Sequence, residues 1–316
     1  MRSYANKKGT NTMIHICLST NQNYVKLTKM CIYDIIARKA KDTEITFYIL
    51  ADKLSEQHDF DCFNKINNIK CITIQLDSDI IVPDLNMHYL MCTRPGLPRT
   101  MYLRFLIPIL NEFQNVERVL YIDPDMLARR DLTDLYNTDL CGQPLGMVRD
   151  SFYIRFENWD QVLEEHKNGY NAGLILMDLP KLRELNFTNR CLYTARFNRY
   201  NDQTAINCAM RDQVKALPPY VQFPIHNLIQ HIQNMDNLEK WNLFHGTAYQ
   251  HWSEILDCIV FYHFHEDKSW QMQIPVLKSA WDFSEQRLHR FEETGIIEPI
   301  ENDKLIDQMF LSHCSI

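Results

Sequence analysis

Short apolar runs alternate with longer amphipathic stretches along the first two-thirds of the chain. The runs are rich in β-branched and aromatic residues, which is typical of buried strands. They predict strands at 14–19, 44–50, 70–76, 116–122, 144–148 and 172–177. The stretches between them repeat apolar residues at helical spacing, and the clearest of these predict helices at 25–39, 55–68 and 100–113.

Strands that alternate with helices are typical of an α/β fold, in which helices cover both faces of a largely parallel sheet. Ligands of such open sheets bind beyond the carboxyl ends of the strands, so the chemistry is expected there. No repeat or low-complexity linker divides the chain. We therefore expect an N-terminal extension at 1–12, one domain at 13–270 and a tail at 271–316, with loops and short helices at 225–254.

Amino-acid composition excludes some classes of function and says less about the fold. The chain has 316 residues, 46% of them hydrophobic, and a net charge of -7, so a general attraction to nucleic acid is not expected. No apolar run approaches the roughly 20 residues that span a bilayer. The ten cysteines form no CxxC pair and the first residues are polar, without a signal-peptide core. These features predict a cytoplasmic protein without a transmembrane segment.

Two carboxylates stand at the end of the fourth predicted strand, in the segment VERVLYIDPDM. Asp123 and Asp125 flank Pro124, which favours an extended conformation for Asp123. In an extended chain residues i and i+2 project to the same side, so the two carboxylates converge. A divalent cation would relieve their repulsion, and oxygen ligands suit Mg²⁺ or Mn²⁺. The alternative is an ordinary surface turn.

Two later segments favour a metal site over an ordinary surface turn at Asp123 and Asp125. FYHFHEDKSW, at 261–270, follows an apolar run, so His263 also emerges from a strand end, with Lys268 downstream. YNAGLILMDL, at 170–179, places Asn171 immediately before a strand. Taken alone, His263 would be interpreted as a core histidine with its hydrogen bonds satisfied.

Together these segments resemble glycosyltransferase family 8, in order and over about residues 14 to 270. The resemblance implies a GT-A, Rossmann-like fold with a mixed, mostly parallel sheet flanked by helices. It also implies a metal-dependent, retaining transfer of a hexose, galactose or glucose, from a UDP-sugar donor to a hydroxyl. The family includes bacterial lipopolysaccharide galactosyl- and glucosyltransferases, and the acceptor would be a glycan, a glycolipid or a glycoprotein.

The resemblance also implies a role for particular residues. The metal ligands for Mn²⁺ or Mg²⁺ would be Asp123, Asp125 and His263, and Asp123 would also contact the nucleotide. The diphosphate would be contacted by Arg104 and Lys268. The donor sugar and the reaction centre would be contacted by Asp150, Asn171, Asp202 and Gln203. The nucleoside would lie in the loop that contains Ser19, Thr20, Asn21, Asn23 and Tyr24.

Three departures from the family pattern leave alternatives open. Asn21 stands where many members have an aspartate that faces uracil. HFHEDKSW is one residue shorter than the usual HxGxxxKPW and lacks its glycine, with Ser269 in place of proline, so His265 competes with His263 as the metal ligand. Thr204 replaces the second aspartate of a DQD motif. An inactive nucleotide-sugar-binding protein and a sugar nucleotidyltransferase are the alternative functions.

Several of these residues also have simpler interpretations when each is taken alone. Arg104 could be a solvated helix residue, and Asp150 and Asp202 could cap helices. Trp241 and Trp252 could stack on a sugar, although tryptophan is found more often in a core.

The tail carries an apolar helical stripe of its own, formed by Leu277, Trp281, Leu288 and Phe291. Its basic residues are balanced by acidic ones, which weakens attraction to anionic lipid. We therefore expect the tail to pack against the domain, with peripheral contact at the inner face of a membrane as the alternative.

Overall fold

The computed structural model describes residues 13–54, 56, 58–81, 99–151, 169–224, 236–264 and 275–300. The strands within these ranges are β1 (Met13–Asn21), β2 (Glu44–Asp52), β3 (Ile69–Leu76), β4 (Arg118–Ile122), β5 (Met126–Ala128), β6 (Leu145–Arg149), β7 (Tyr170–Asp178), β8 (Val214–Leu217), β9 (Gln222–Pro224) and β10 (Phe261–His263). All six strands expected from the apolar runs are present.

Seven strands form the main sheet, in the order β3-β2-β1-β4-β7-β6-β8. Neighbouring strands are parallel except around β7, which runs antiparallel to both β4 and β6. This confirms the predicted mixed, mostly parallel α/β sheet. The antiparallel course of β7 brings its first residues beside the end of β4, because Ile122 pairs with Leu174.

A second sheet of three short strands, in the order β5-β10-β9, lies next to the end of β4. β10 runs antiparallel to β5 and parallel to β9. β5 begins at Met126, directly after the turn that holds Asp123 and Asp125. The second sheet therefore attaches the late part of the chain to the end of a central strand.

The α-helices of the described ranges are α1 (Val25–Arg38), α2 (Ser78–Ile81), α3 (Thr133–Tyr136), α4 (Leu179–Glu184), α5 (Phe187–Asn198), α6 (Asp202–Ala209), α7 (Asp236–His245), α8 (Trp252–Leu256) and α9 (Pro275–Thr294). Short 3-10 helices also occur, at Asp61–Lys65, Arg99–Ile109 and Asn111–Phe113 among others. The helix predicted at 25–39 is confirmed, and the region 236–254 holds the short helices expected there.

Two predicted helices differ from those in the structure. At 100–113 the chain forms 3-10 turns, and Pro108 lies inside them, where it cannot donate the backbone bond that an α-helix requires. At 55–68 the helical part is limited to Asp61–Lys65. The side chain of Asn64 accepts from the backbone N–H of Cys71 at 2.6 Å, and Asn68 has a φ of 64°, so the chain turns directly into β3.

The main sheet is buried on both faces, as the long apolar runs predict. Alternate residues of β1 show this, because Ile14, Ile16 and Leu18 belong to a core on one face whereas Cys17 belongs to a core on the other. The first core includes α1, α9 and the second sheet. The other includes the 3-10 region Arg99–Ile109 and parts of α4, α5 and α6.

The tail helix α9 packs against α1 rather than extending away from the domain. The Phe291 ring lies 5.7 Å from the Tyr33 ring and 5.3 Å from the Phe63 ring, measured between centroids. Ser284 Oγ donates to Asp34 Oδ1 at 3.3 Å, and Lys29 Nζ lies 3.1 Å from Glu292 Oε1. Trp281, Leu288 and Phe291 are buried, as the apolar stripe predicts, whereas the side chain of Leu277 lies outside the described residues.

The cysteines within the described ranges are free thiols. Among the same residues, no helix combines the length and the apolar character needed to cross a membrane.

Candidate active site

Asp123 and Asp125 lie in the turn between β4 and β5, at the end of a strand in the centre of the main sheet. The backbone N–H of Asp123 donates to the carbonyl of Gly173 on β7 at 2.7 Å, which fixes the start of the turn. Asp125 is buried, with 8% of its surface exposed, and Asp123 is half-buried. The segment is therefore a turn, as the simpler interpretation held, but not an exposed one.

His263, the last residue of β10, reaches the same turn. It pairs with Met126 across the second sheet, and the next residue, Phe264, donates its N–H to the carbonyl of Asp125 at 3.0 Å. The Nε2 atom of His263 lies 3.4 Å from Oδ1 of Asp125. One ligand atom from each of Asp123, Asp125 and His263 lies within 4.8 Å of the others. The cluster could hold a metal ion.

The imidazole ring has room because residue 173 is glycine. A Cβ atom at Gly173 would lie 2.5 Å from Cε1 of His263, much closer than ordinary van der Waals contact, and 3.1 Å from Oδ1 of Asn171. The N-A-G sequence at 171–173 therefore places a backbone without a side chain against the histidine of the cluster.

Arg104 connects this cluster to a third carboxylate, that of Asp202. Its Nη2 donates to Oδ1 of Asp123 at 2.8 Å, its Nε lies 3.1 Å from Oδ2 of Asp202, and its Nη1 donates to the carbonyl of Ala172 at 2.5 Å. The guanidinium also lies over the Tyr121 ring, 4.4 Å from its centroid. Arg104 is only 4% exposed, so the interpretation as a solvated helix residue is wrong.

Burial and charge oppose each other in this group of residues. Burial raises the pKa of Asp123 and the pKa of Asp202, and in both cases Arg104 is the main influence in the opposite direction. Asp125 adds to the rise at Asp123 through repulsion between like charges. A cation beside Asp123 and Asp125 would therefore strongly stabilise the ionised carboxylates.

Asp150, directly after β6, is linked through Gln203 to the backbone of Ala172, the residue whose carbonyl accepts from Arg104. The Nε2 atom of Gln203 donates to Oδ2 of Asp150 at 2.8 Å, and its Oε1 accepts from the backbone N–H of Ala172 at 3.1 Å. Asp202, the first residue of α6, is 4% exposed, and the side chain that caps this helix is Asn201, which accepts from the N–H of Thr204 at 2.8 Å.

The predicted nucleoside loop follows the end of β1. Ser19 and Thr20 are buried, whereas Asn23 is exposed and Tyr24 is partly buried against the core. Asn21 bonds within the protein at both ends: Oδ1 accepts from the N–H of Asn23 at 3.0 Å, and Nδ2 donates to Oγ1 of Thr100 at 3.3 Å. The side chain of Asn21 therefore shapes the loop.

Two predicted residues, Lys268 and the competing histidine His265, lie outside the described residues. Trp241 and Trp252 are 1% and 3% exposed, and their rings contact each other within the core at a centroid distance of 5.5 Å. This supports the core interpretation of both tryptophans.

Two residues of the site were missed by sequence reasoning. Tyr121 donates its hydroxyl to Oδ1 of Asp123 at 2.9 Å, two positions before that carboxylate in the strand. Its position i−2 to Asp123 was the available signal, because alternate strand residues share a face. Gln222 bonds both Asn171 and His263, and no motif marks it in the sequence.

The fold is of the GT-A type, as predicted, and is similar to that of two solved glycosyltransferases. The chain is similar to a galactosyltransferase, LgtC, whose structure was solved with donor and acceptor sugar analogues; the TM-score is 0.63 at 21% identity, covering 92% of this chain and 99% of that one. It is also similar to the glycosyltransferase GlyE of Streptococcus pneumoniae, with a TM-score of 0.60 at 18% identity, covering 92% of this chain and 66% of that one.

Residues 15–271 match the family described as glycosyl transferase family 8, and the chain belongs to that family. This is the family of glycosyltransferases that the order of its motifs predicted. The match extends from β1 to just beyond β10, so it includes every described residue of the site.

Two relatives in sequence are both distant. A putative glycosyltransferase of Haemophilus influenzae is 26% identical over 64% of this chain and 61% of its own length. The lipopolysaccharide 1,2-glucosyltransferase of Escherichia coli is 22% identical over 66% of this chain and 62% of its own length. The chain thus matches about three-fifths of the length of each of these two relatives.

Proposed function

We propose that this protein is a metal-dependent, retaining hexosyltransferase that moves galactose or glucose from a UDP-sugar to a hydroxyl of a glycan, glycolipid or glycoprotein. The observation that carries the proposal is the meeting of Asp123, Asp125 and His263 at one point beside a buried arginine. Family membership and the name of the Escherichia coli relative support a role in lipopolysaccharide-type synthesis.

The residues of the cluster fit a divalent cation. In an octahedral shell with bonds of ~2.1 Å, ligand atoms lie about 3 to 4.2 Å apart. The separations here, 3.4 Å between Asp125 and His263 and at most 4.8 Å within the set, need only a small contraction. Two carboxylate oxygens and one imidazole nitrogen suit Mn²⁺, and Mg²⁺ is the alternative. When bound, the ion would neutralise charge that develops on the diphosphate leaving group.

Arg104 contributes to the same task from a fixed position. Its charge is held between Asp123 and Asp202, so it moderates the negative potential of the carboxylates and does not have to reorganise during the reaction. Lys268 is proposed to contact the diphosphate directly. Asp150, Asn171 and Asp202 are proposed to orient the donor sugar.

Retention of configuration is proposed to occur on one face of the sugar, without a covalent intermediate. A two-step route would need a nucleophile, and the nearest candidates already have partners: Asp202 is paired with Arg104, and the side-chain amide oxygen of Gln203 accepts from the backbone N–H of Ala172. On a same-face route, the departing phosphate oxygen takes the proton of the acceptor hydroxyl as the new bond forms.

The acceptor and the location of the reaction complete the proposal. A cytoplasmic enzyme that works at the inner face of a membrane would meet lipid-linked acceptors. The packing of α9 on α1 gives the tail helix a partner within the chain, so membrane contact would be peripheral.

A donor screen tests the proposal. Metal-stripped protein is incubated with several nucleotide sugars, with and without Mn²⁺, and release of nucleotide is followed by mass spectrometry. We expect metal-dependent hydrolysis of a UDP-hexose, its loss on chelation, and its loss in Asp125→Asn with the fold intact. Turnover that survives thorough chelation would refute the metal site. Donor binding without release of nucleotide would indicate an inactive binding protein instead.

Stereochemistry is tested on the product and on the enzyme. Proton NMR of the new linkage should show an α-anomer formed from an α-linked donor. Intact-protein mass spectrometry with donor alone should show no hexose adduct. A β-linkage would exclude retention, and an adduct on Asp202 would replace the same-face route with a two-step one.

A further inference from the structure

Gln222, the first residue of β9, links the metal-site histidine to the N-A-G segment. It is 3% exposed, and its strand pairs with β10, which carries His263. A single atom, Nε2, lies 2.5 Å from Oδ1 of Asn171 and 2.7 Å from Nδ1 of His263. One buried amide therefore contacts a proposed sugar-binding residue and a proposed metal ligand.

The direction of these hydrogen bonds follows from the backbone. Gly173 donates its N–H to Oδ1 of Asn171 at 2.9 Å, so that atom is an acceptor and Gln222 must present its NH₂ group to it. The second hydrogen of the same group is then directed at Nδ1 of His263, which accepts. The proton of a neutral imidazole consequently lies on Nε2, the atom 3.4 Å from Asp125.

We propose that Gln222 is a positioning residue of the metal site, which holds the ring of His263 and sets which of its nitrogens faces the carboxylates. The inference rests on the metal-dependent function proposed above. A histidine that binds a cation through Nε2 carries its proton on Nδ1 and needs an acceptor there. Oε1 of Gln222 is buried and has no hydrogen-bond partner among the described residues, so the same amide contains that acceptor.

An amide suits this position because it can serve either form of the ring. With NH₂ toward Nδ1, it stabilises the form seen here; with the carbonyl toward Nδ1, it stabilises the form that binds metal. The second arrangement gives up the bond to Asn171, because two carbonyl oxygens cannot share a hydrogen bond. Metal binding at His263 and the hydrogen bonding of Asn171 are therefore coupled through Gln222.

Metal titration of the full chain tests the proposal. Mn²⁺ is titrated into metal-stripped protein by calorimetry, and the free energy of unfolding of the metal-free protein is measured in parallel. Gln222→Met keeps the length of the side chain and removes both functions, so we expect its Kd for Mn²⁺ to rise about 10- to 100-fold. Gln222→Glu retains an acceptor for Nδ1 and should stay within about threefold of the wild type.

Controls separate positioning from packing. Gln143→Met, on the loop before β6 at the opposite end of that strand from Asp150, should leave the Kd unchanged. In the His263→Ala background, Gln222→Met should produce no further loss, because the residue acts through the ring.

The outcomes distinguish this inference from the proposed function. Wild type that does not bind Mn²⁺ would refute the metal-dependent function and the inference with it. Wild type that binds while Gln222→Met binds equally well would refute the inference alone. Equal losses in the Met and Glu variants would also overturn it, since they would show that packing rather than an acceptor at Nδ1 is required.

Discussion

Gly173→Ala is a single-methyl test of the site geometry. The glycine lies on β7, beside the turn of Asp123, and the methyl group would be aimed at the imidazole of His263. The added Cβ would lie 2.5 Å from Cε1 of the ring, whereas ordinary contact begins at 3.4 Å. One of the two groups must therefore retreat by about 0.9 Å, and the backbone of β7 is held on both sides by its neighbours in the sheet.

The size of the effect follows from this displacement. Overpacking of this kind costs about 1–3 kcal/mol of stability. Bond lengths at metal sites hold to within about 0.2 Å, so a shift several times larger should weaken metal binding at least tenfold. The variant should therefore remain folded and lose most of its affinity for Mn²⁺.

Gly146→Ala is the matched control. Gly146 lies on β6, in the same sheet, and its Cβ would meet the ends of two leucine side chains, with Cδ2 of Leu140 at 2.7 Å. It should be destabilised by a similar mechanism without a change in the Kd for Mn²⁺. Calorimetric titration gives the Kd for Mn²⁺ of both variants, and urea denaturation gives their stability. Unchanged metal affinity in Gly173→Ala would refute the placement of His263 against this strand.

Three further predictions concern the stability of the fold and the identity of the histidine that binds the metal. Burial, and to a smaller extent the positive charge of Arg149, lowers the pKa of His245 to about 3. Because the unfolded chain binds a proton at this residue more readily than the folded one, the folded protein should lose stability as the pH falls from 6.5 towards 3. Between pH 7 and pH 5 the loss of stability should be about 1 to 2 kcal/mol, where the lower figure allows for partial exposure of the ring. In His245→Gln, the stability measured by urea denaturation should depend less on pH. A wild-type stability that does not change with pH would contradict this prediction. Phe291→Ala should lower the free energy of unfolding, measured by thermal unfolding, by about 3–5 kcal/mol, because the ring is 3% exposed between two aromatic core residues. A loss below about 1 kcal/mol would show that α9 does not pack on the domain in solution. His263→Ala should weaken activation by Mn²⁺ much more than His265→Ala, and the reverse order of the two titration curves would make His265 the ligand.

Features encoded locally were predictable from sequence, and features set by pairing were not. The six strand runs and the carboxylates after β4 appear as a change from apolar to acidic residues at a strand end. The antiparallel course of β7 leaves no such trace, because strand direction depends on which neighbour it meets. The 3-10 conformation at Arg99–Ile109 was missed because its apolar pattern also fits an α-helix.

The same distinction applies to the site. Asp123, Asp125 and His263 each stand at the end of an apolar run, so their residue types and positions suggested the cluster. Gln222 lies in a three-residue strand, and its role arises from two hydrogen bonds to residues 41 and 51 positions away. Contacts of that kind depend on tertiary placement alone.

The pairing of β5 with β10 has a consequence for the order in which the site forms. Asp125 precedes His263 by 138 positions, and the two are joined through the backbone only when the last strand of the second sheet is in place. At a ribosomal rate of about 5–20 residues per second, His263 emerges roughly 7 to 28 seconds after the carboxylates. A nascent chain therefore exposes the acidic pair well before it can complete the proposed three-residue metal site. Incomplete translation products that end before β10 would lack His263, so the proposed site could form only in chains that extend past this strand.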